Sequence, residues 1–196
     1  MKSLAAYSII CYILQIKDRH NGNILIDHQG HCIHIDFGFM LSNSPGSVGF
    51  ELAPFKLPTE YIDILGGMES SGYTRFLGLL TDAFMSLRKK ADWIVGLVEM
   101  MEHGSRLPCF TGITKQAPIT TATGQAKEPR PTVPPSKSVS SALRDRFQLG
   151  LTDGQVVEFI HKLTQSSANN SFTLLYDTFQ VSPWTRFETH FLVLCQ

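Results

Sequence analysis

The segment from Lys17 to Gly38, KDRHNGNILIDHQGHCIHIDFG, constrains this chain more than any other. Asp18 is followed five positions later by Asn23, and Asp36 opens an Asp-Phe-Gly triplet. Between them lie two short apolar runs, Ile24-Leu25-Ile26 and Cys32-Ile33-His34-Ile35. They are separated by Asp27-His28-Gln29-Gly30, a turn in which Gly30 can take positive φ. Runs joined in this way predict a β-hairpin. The hairpin returns the chain so that Asp36 comes near Asn23, because paired strands lie about 5 Å apart. Two ligands of one metal ion can bridge that spacing.

A phosphoryl-transfer site needs a group that orients the attacking hydroxyl and ligands that hold Mg²⁺ on the nucleotide phosphates. The Asp-to-Asn interval is that of the protein-kinase catalytic loop, although here the first letters run in reverse, Asp18-Arg19-His20, and Asn21 intervenes. DRHNGNIL followed by HIDFGF resembles the phosphatidylinositol 3-/4-kinase superfamily. The continuation SPGSVGFELAPFKLPTEYIDILGG resembles the type III phosphatidylinositol 4-kinases, the beta-like branch more than the alpha-like one. The resemblance covers residues 1 to about 110 and resumes weakly over 143–180.

That resemblance implies an α+β, mainly α-helical fold. It corresponds to the large, C-terminal lobe of a protein-kinase-like fold, with a small β-hairpin carrying the catalytic and metal-binding loops. It implies ATP and Mg²⁺ as cofactors and transfer of phosphate to the 4-position of phosphatidylinositol, giving phosphatidylinositol 4-phosphate in phosphoinositide signalling. Asp18 would orient the inositol hydroxyl or accept its proton. His20 competes for that role, since an imidazole with an ordinary pKa near ~6.5 suits proton transfer at neutral pH. Arg19 would brace the catalytic loop by pairing with a carboxylate, and Asn21 and Gly38 would shape the loops. Asn23 and Asp36 would hold the metal, and Lys56 would meet the substrate. His31 and His34 fall on opposite faces of a strand and are expected to be packing or polar-network residues.

Between Phe37 and Pro58 the only charges are Glu51 and Lys56. A polyphosphorylated inositol head would call for several Lys or Arg there. A single lysine favours phosphatidylinositol itself, whose head carries only the bridging phosphodiester. Formal net charge is zero, which gives no bulk argument for nucleic acid as a partner. The four cysteines are scattered without a C-x-x-C pair, which argues against a zinc site or disulfide framework and for a reducing, cytosolic compartment. No run reaches the ~18 apolar residues of a membrane span, so contact with the lipid is expected to be peripheral. The beta-like resemblance implies a cytoplasmic distribution on Golgi or other endomembranes.

Taken in order, residues 1–110 read as the catalytic core, with the catalytic loop at 17–24, the Asp-Phe-Gly and activation loop at 36–58, and helices over 59–103. Residues 3–16 predict a helix from Leu4, Tyr7, Cys11 and Leu14. Residues 59–65 predict a short helix stopped by Gly66-Gly67. Residues 73–90 predict a longer one on Phe76, Leu79, Leu80, Ala83, Phe84 and Leu87. Residues 92–103 predict another, with Trp93, Ile94, Leu97, Val98 and Met101 inward. Residues 111–140 read as a disordered insertion, where Thr, Pro, Ala, Lys and Gly dominate. Residues 141–180 read as C-terminal helices, with a capping box at Thr152–Gln155 and a last amphipathic helix at 172–179. Residues 181–196 form a divergent tail in which Trp184, Phe187, Phe191 and Leu192 could meet a membrane interface.

Only 17 residues precede Asp18, too few for a Gly-rich loop and a strand lysine over the phosphates. The chain is therefore expected to be a piece of a catalytic domain with little activity alone. Two alternatives stand beside the lipid kinase: a phosphatidylinositol-kinase-like protein kinase, and a truncated non-catalytic fragment.

Overall fold

A computed structural model describes residues 1–44, 53–111, 137–168 and 170. The other positions lie outside the described residues. They include Glu51, most of the 111–140 insertion, the helix expected at 172–179 and the tail aromatics.

The first helix, α1 (Lys2–Leu14), has buried residues on most of its circumference: Leu4, Ala5, Ser8, Ile9, Cys11 and Ile13. It ends where Gln15 turns left-handed, with φ of 50°. A 3-10 turn (Asn21–Asn23) leads into β1 (Ile24–Ile26), which pairs antiparallel with β2 (Cys32–His34). The register sets Ile24 opposite His34, Leu25 opposite Ile33 and Ile26 opposite Cys32. The turn between the strands is tied by Asp27, whose Oδ1 accepts the Gln29 and His31 N–H groups at 2.9 and 2.8 Å. Gly30 takes φ of 78°, as the turn requires.

Five helices follow over the described residues up to 146: α2 (Thr59–Ile64), α3 (Ser71–Arg88), α4 (Ala91–Glu102), α5 (Pro108–Thr111) and α6 (Val139–Arg146). The last among the described residues is α7 (Asp153–Ser167). Ser70 caps α3 by accepting the Tyr73 N–H at 3.0 Å. Thr152 and Gln155 form the expected capping box at the start of α7.

Helix α3 is the centre of the core. Phe76, Leu80 and Phe84, four residues apart, are fully buried on the face it turns to α1 and α7. Leu143 and Phe147 from the α6 end, and Val156 and Ile160 of α7, are equally closed to solvent. Tyr12, Phe84 and Phe159 meet as an aromatic group, with centroids 5.6–6.2 Å apart. Rings at such separations in tilted geometry add to the area they bury.

Two arginines tie the α6–α7 region to the rest. Arg88 donates to the carbonyls of Phe147, Gln148 and Leu151 at 3.1, 2.9 and 2.8 Å. Arg146 donates to the Ile13 carbonyl at 2.7 Å, and the Tyr12 hydroxyl donates to the Arg146 carbonyl at 3.2 Å. The Glu102 carboxylate, at the end of α4, accepts the Val139 and Ser140 N–H groups at 2.7 and 3.0 Å, so it caps α6 from 37 residues away. Partial burial alone would raise the Glu102 pKa, but the bonds from Ser140 and Val139 outweigh it and hold the carboxyl below its ordinary range.

Helix α4 departs from its sequence pattern. Trp93, Leu97 and Met101, expected inward, are 77%, 53% and 60% exposed. The helix packs on α6 instead, through buried Ala91 and Val95 with Ile94 and Val98 half-covered. Its sequence is apolar on nearly every side, so periodicity alone cannot choose which side faces the core.

Candidate active site

Residues 17–23 have few apolar side chains and are held by hydrogen bonds to three parts of the chain. The Lys17 N–H donates to the Phe39 carbonyl at 2.9 Å, and the Leu41 N–H donates to the Leu14 carbonyl at 2.8 Å. The entry to the 17–24 loop thus runs beside the exit from the Asp-Phe-Gly segment. Arg19 lies only 5% exposed between them. Its guanidinium donates to the carbonyls of Lys17 and Ile35 at 2.8 Å each and to that of Asp36, and it lies 5.7 Å from the centre of the Phe37 ring. Backbone carbonyl oxygens are among the Arg19 acceptors. A planar fork of donors suits several fixed carbonyls.

Asp18 and Asn23 are joined directly. The Asn23 Nδ2 donates to the Asp18 carbonyl at 2.9 Å and reaches Asp18 Oδ2 at 3.5 Å. Asn23 is 7% exposed. With its amine turned to Asp18, its carboxamide oxygen is the atom left to act as a hard ligand. Asn23 and Ile35 face each other across the ribbon, the Ile35 N–H donating to the Asn23 carbonyl at 3.0 Å. Asp36 is the next residue, and it is exposed. One of its carboxylate oxygens accepts the Gly38 N–H at 3.2 Å, and the Gly38 carbonyl accepts from Asn43 at 2.9 Å.

Asp18 and Asp36 have φ of 62° and 56°. Left-handed backbone is uncommon outside glycine, tolerated best by Asn and Asp, and concentrated where geometry is prescribed by use. Both acidic residues of the candidate site are in this class.

His20 stands 3.8 Å from Asp18, measured Nε2 to Oδ1. Its Nδ1 accepts the Gly22 N–H at 3.1 Å. That bond assigns the Nδ1 lone pair to the backbone, so the proton of the neutral ring sits on Nε2, toward Asp18. Gly22 permits the arrangement: a Cβ there would lie 3.0 Å from the His20 Cε1. Sequence reasoning passed over Gly22, and its position between two asparagines gave only a turn signal.

Lys56 is 6% exposed, and its Nζ donates to the Asn21 Oδ1 at 2.7 Å. Its neighbours are fixed: Leu57 bridges to Ala168 and is fully buried, and the Phe55 N–H donates to the Ser167 hydroxyl at 3.4 Å. Behind the ribbon His34 is buried, stacked on Tyr7 at 4.3 Å with planes 4° apart, its Nδ1 3.6 Å from the Cys11 thiol. Burial, then the Arg19 and Lys56 charges, push its pKa down to about 4. His31, by contrast, is exposed and bonded to Asp27 at 2.9 Å. Neither histidine joins a metal-binding cluster, and no group of three or more His, Cys, Asp or Glu side chains gathers among the described residues.

The other face of the ribbon was not anticipated as a surface. By alternation Asn23 and Leu25 share a side with Ile33 and Ile35. Leu25, Ile33 and Ile35 are 39%, 39% and 37% exposed, an uncovered apolar strip beside Asn23. The signal was present in the period-two spacing, but the runs read as uniformly apolar.

Among the described residues no helix is long and apolar enough to cross a membrane. The model of the family "Phosphatidylinositol 3- and 4-kinase" matches residues 1–111. Over 180 residues the chain is 49% identical to phosphatidylinositol 4-kinase PIK1a of Candida albicans, covering 91% of this chain and 16% of that protein. It is 47% identical to phosphatidylinositol 4-kinase PIK1 of Saccharomyces cerevisiae, covering 91% and 15%. It is 38% identical to phosphatidylinositol 4-kinase beta of Sorex araneus, covering 92% and 20%. The chain thus spans a fifth or less of each of these relatives' length. A helix-rich fold around one two-stranded ribbon, the joined Asp18–Asn23 pair and these matches lead to one conclusion: the chain belongs to the phosphatidylinositol 3- and 4-kinase family.

Proposed function

We propose that this chain is the phosphate-transferring part of a phosphatidylinositol 4-kinase of the beta-like type, acting with ATP and Mg²⁺ on phosphatidylinositol. The observation that carries the reading is the Asp18–Asn23 hydrogen bond beside Asp36, set in a chain with near-half identity to phosphatidylinositol 4-kinases. Asn23, through its carboxamide oxygen, and Asp36, through its carboxylate, would hold Mg²⁺. When bound, the metal would neutralise charge on the nucleotide phosphates. The apolar strip of Leu25, Ile33 and Ile35 offers a flat face for the nucleotide base.

Asp18 is the better proton acceptor. The His20 Nδ1 lone pair is engaged by Gly22, and its Nε2 carries the proton of the neutral ring. The Asp18 carboxylate, which only accepts, can take the inositol hydroxyl proton, while the His20 N–H side steadies it. Arg19 holds this loop against the Asp36 backbone. The enzyme would meet its lipid peripherally, on the cytoplasmic side of Golgi or other endomembranes.

The test transplants the matching segment of this chain into Saccharomyces cerevisiae PIK1 in place of its own. The chimera should convert phosphatidylinositol in vesicles to the 4-phosphate and ignore peptides. Asp18→Asn should lower turnover by about 10²–10⁴-fold. Phosphorylated peptide, a product phosphorylated elsewhere on the ring, or an Asp18→Asn chimera of full activity would each defeat the reading.

A further inference from the structure

We infer that Lys56 is a positioning residue of the catalytic loop, holding Asn21 so that Asp18 and Asn23 keep their geometry, and is not a contact for the lipid head group. The inference rests on the kinase reading above and extends it to a residue at the end of the 36–58 segment.

A lysine meant for a ligand at a membrane surface leaves its ammonium in water and buries only its stem. Lys56 does the opposite: it is 6% exposed, with its ammonium 2.7 Å from an amide oxygen. An ammonium withdrawn from water is costly unless it is hydrogen-bonded. Asn21 is an acceptor that helps meet that need, and it opens the 3-10 turn whose other end is Asn23. Within the turn the Asn23 N–H donates to the His20 carbonyl at 3.0 Å, and the Ile24 N–H donates to the Asn21 carbonyl. Pinning Asn21 therefore pins Asn23, and Asn23 is bonded to Asp18.

The other end of the connection is equally firm. Phe55 and Leu57 are 4% and 0% exposed, and both neighbours of Lys56 reach the C-terminal end of α7. Arg19 ties the catalytic loop to the Asp-Phe-Gly backbone from one side, and Lys56 ties it to a rigid base from the other.

Amide hydrogen exchange on the full 196-residue chain tests this without any need for activity. Lys56→Met should speed exchange at Asn23 and Ile24 by tenfold or more and leave α3 and α7 unchanged. Asn21→Ala should do the same, and the double variant should add nothing further. Asn21 is exposed, so its variant keeps the test open should Lys56→Met fail to fold. In the chimera, Lys56→Met should lower kcat tenfold or more and leave the KM for phosphatidylinositol within twofold. Unchanged exchange at the turn, additive effects, or a rise in KM at constant kcat would overturn the inference. Altered exchange in a chimera that never phosphorylates lipid would instead sink the kinase reading and leave the Lys56–Asn21 tie standing.

Discussion

The His34 ring lies flat on Tyr7 and is buried. Its pKa is held near 4, against an ordinary value of 6.5, first by burial and then by Arg19 and Lys56. The unfolded chain takes up a proton here below pH 6.5 and the folded chain does not until about pH 4. The His34 contribution to stability is therefore whole above pH 6.5 and declines as pH falls toward 4, by about 3 kcal/mol at most. Asp27, held at about 2 by the His31 backbone and side-chain bonds, loses its contribution only below its ordinary 3.8, in a separate window. Melting temperature followed from pH 7 to pH 4.5 should fall, and His34→Phe, which keeps the stack, should flatten that fall. Coincident profiles for the two proteins would mean that His34 is not the group responsible.

At the scale of elements, Arg88 carries more than its sequence position suggests. It is the basic residue in the last turn of α3, yet its guanidinium closes the α6–α7 connection through three carbonyls. Arg88→Ala should destabilise the chain by about 3 kcal/mol, since part-buried carbonyls lose their donors, and Arg88→Lys should rescue little because a lysine cannot span the three. Urea midpoints decide this, and a loss below about 1 kcal/mol would mean water serves as well. The same contrast separates what could be read from the sequence from what could not. The capping box at Thr152 and Gln155, the Phe76–Leu80–Phe84 stripe and the Asp18-to-Asn23 interval are local patterns, and the sequence declared them. The outward side of α4, the Lys56–Asn21 tie and the Glu102 cap depend on partners 35 or more residues away, or on which neighbour a helix meets. Local periodicity carries no information about those.

At the scale of the molecule, the core is assembled from both sides of the 112–136 stretch. Phe76, Leu80 and Phe84 come from one side, and Leu143, Phe147, Val156 and Ile160 from the other, all closed to solvent. Stripping the second set from the first would bare several large apolar side chains at roughly 25 cal/mol per Å². Residues 1–111 expressed alone should therefore bind a hydrophobic dye and show no cooperative melt. Adding 137–168 as a separate peptide should restore both behaviours, and a cooperative melt of 1–111 by itself would refute this.

The Glu102 carboxylate gives that division a further meaning. It joins the end of α4 to the first turn of α6 directly, so the two halves meet through a hydrogen-bonded cap as well as through the shared core. Where the recognisable family signature stops and where the folding unit stops are different places in this chain. A boundary drawn at the signature would part Phe76, Leu80 and Phe84 from Leu143, Phe147, Val156 and Ile160, which close one core together.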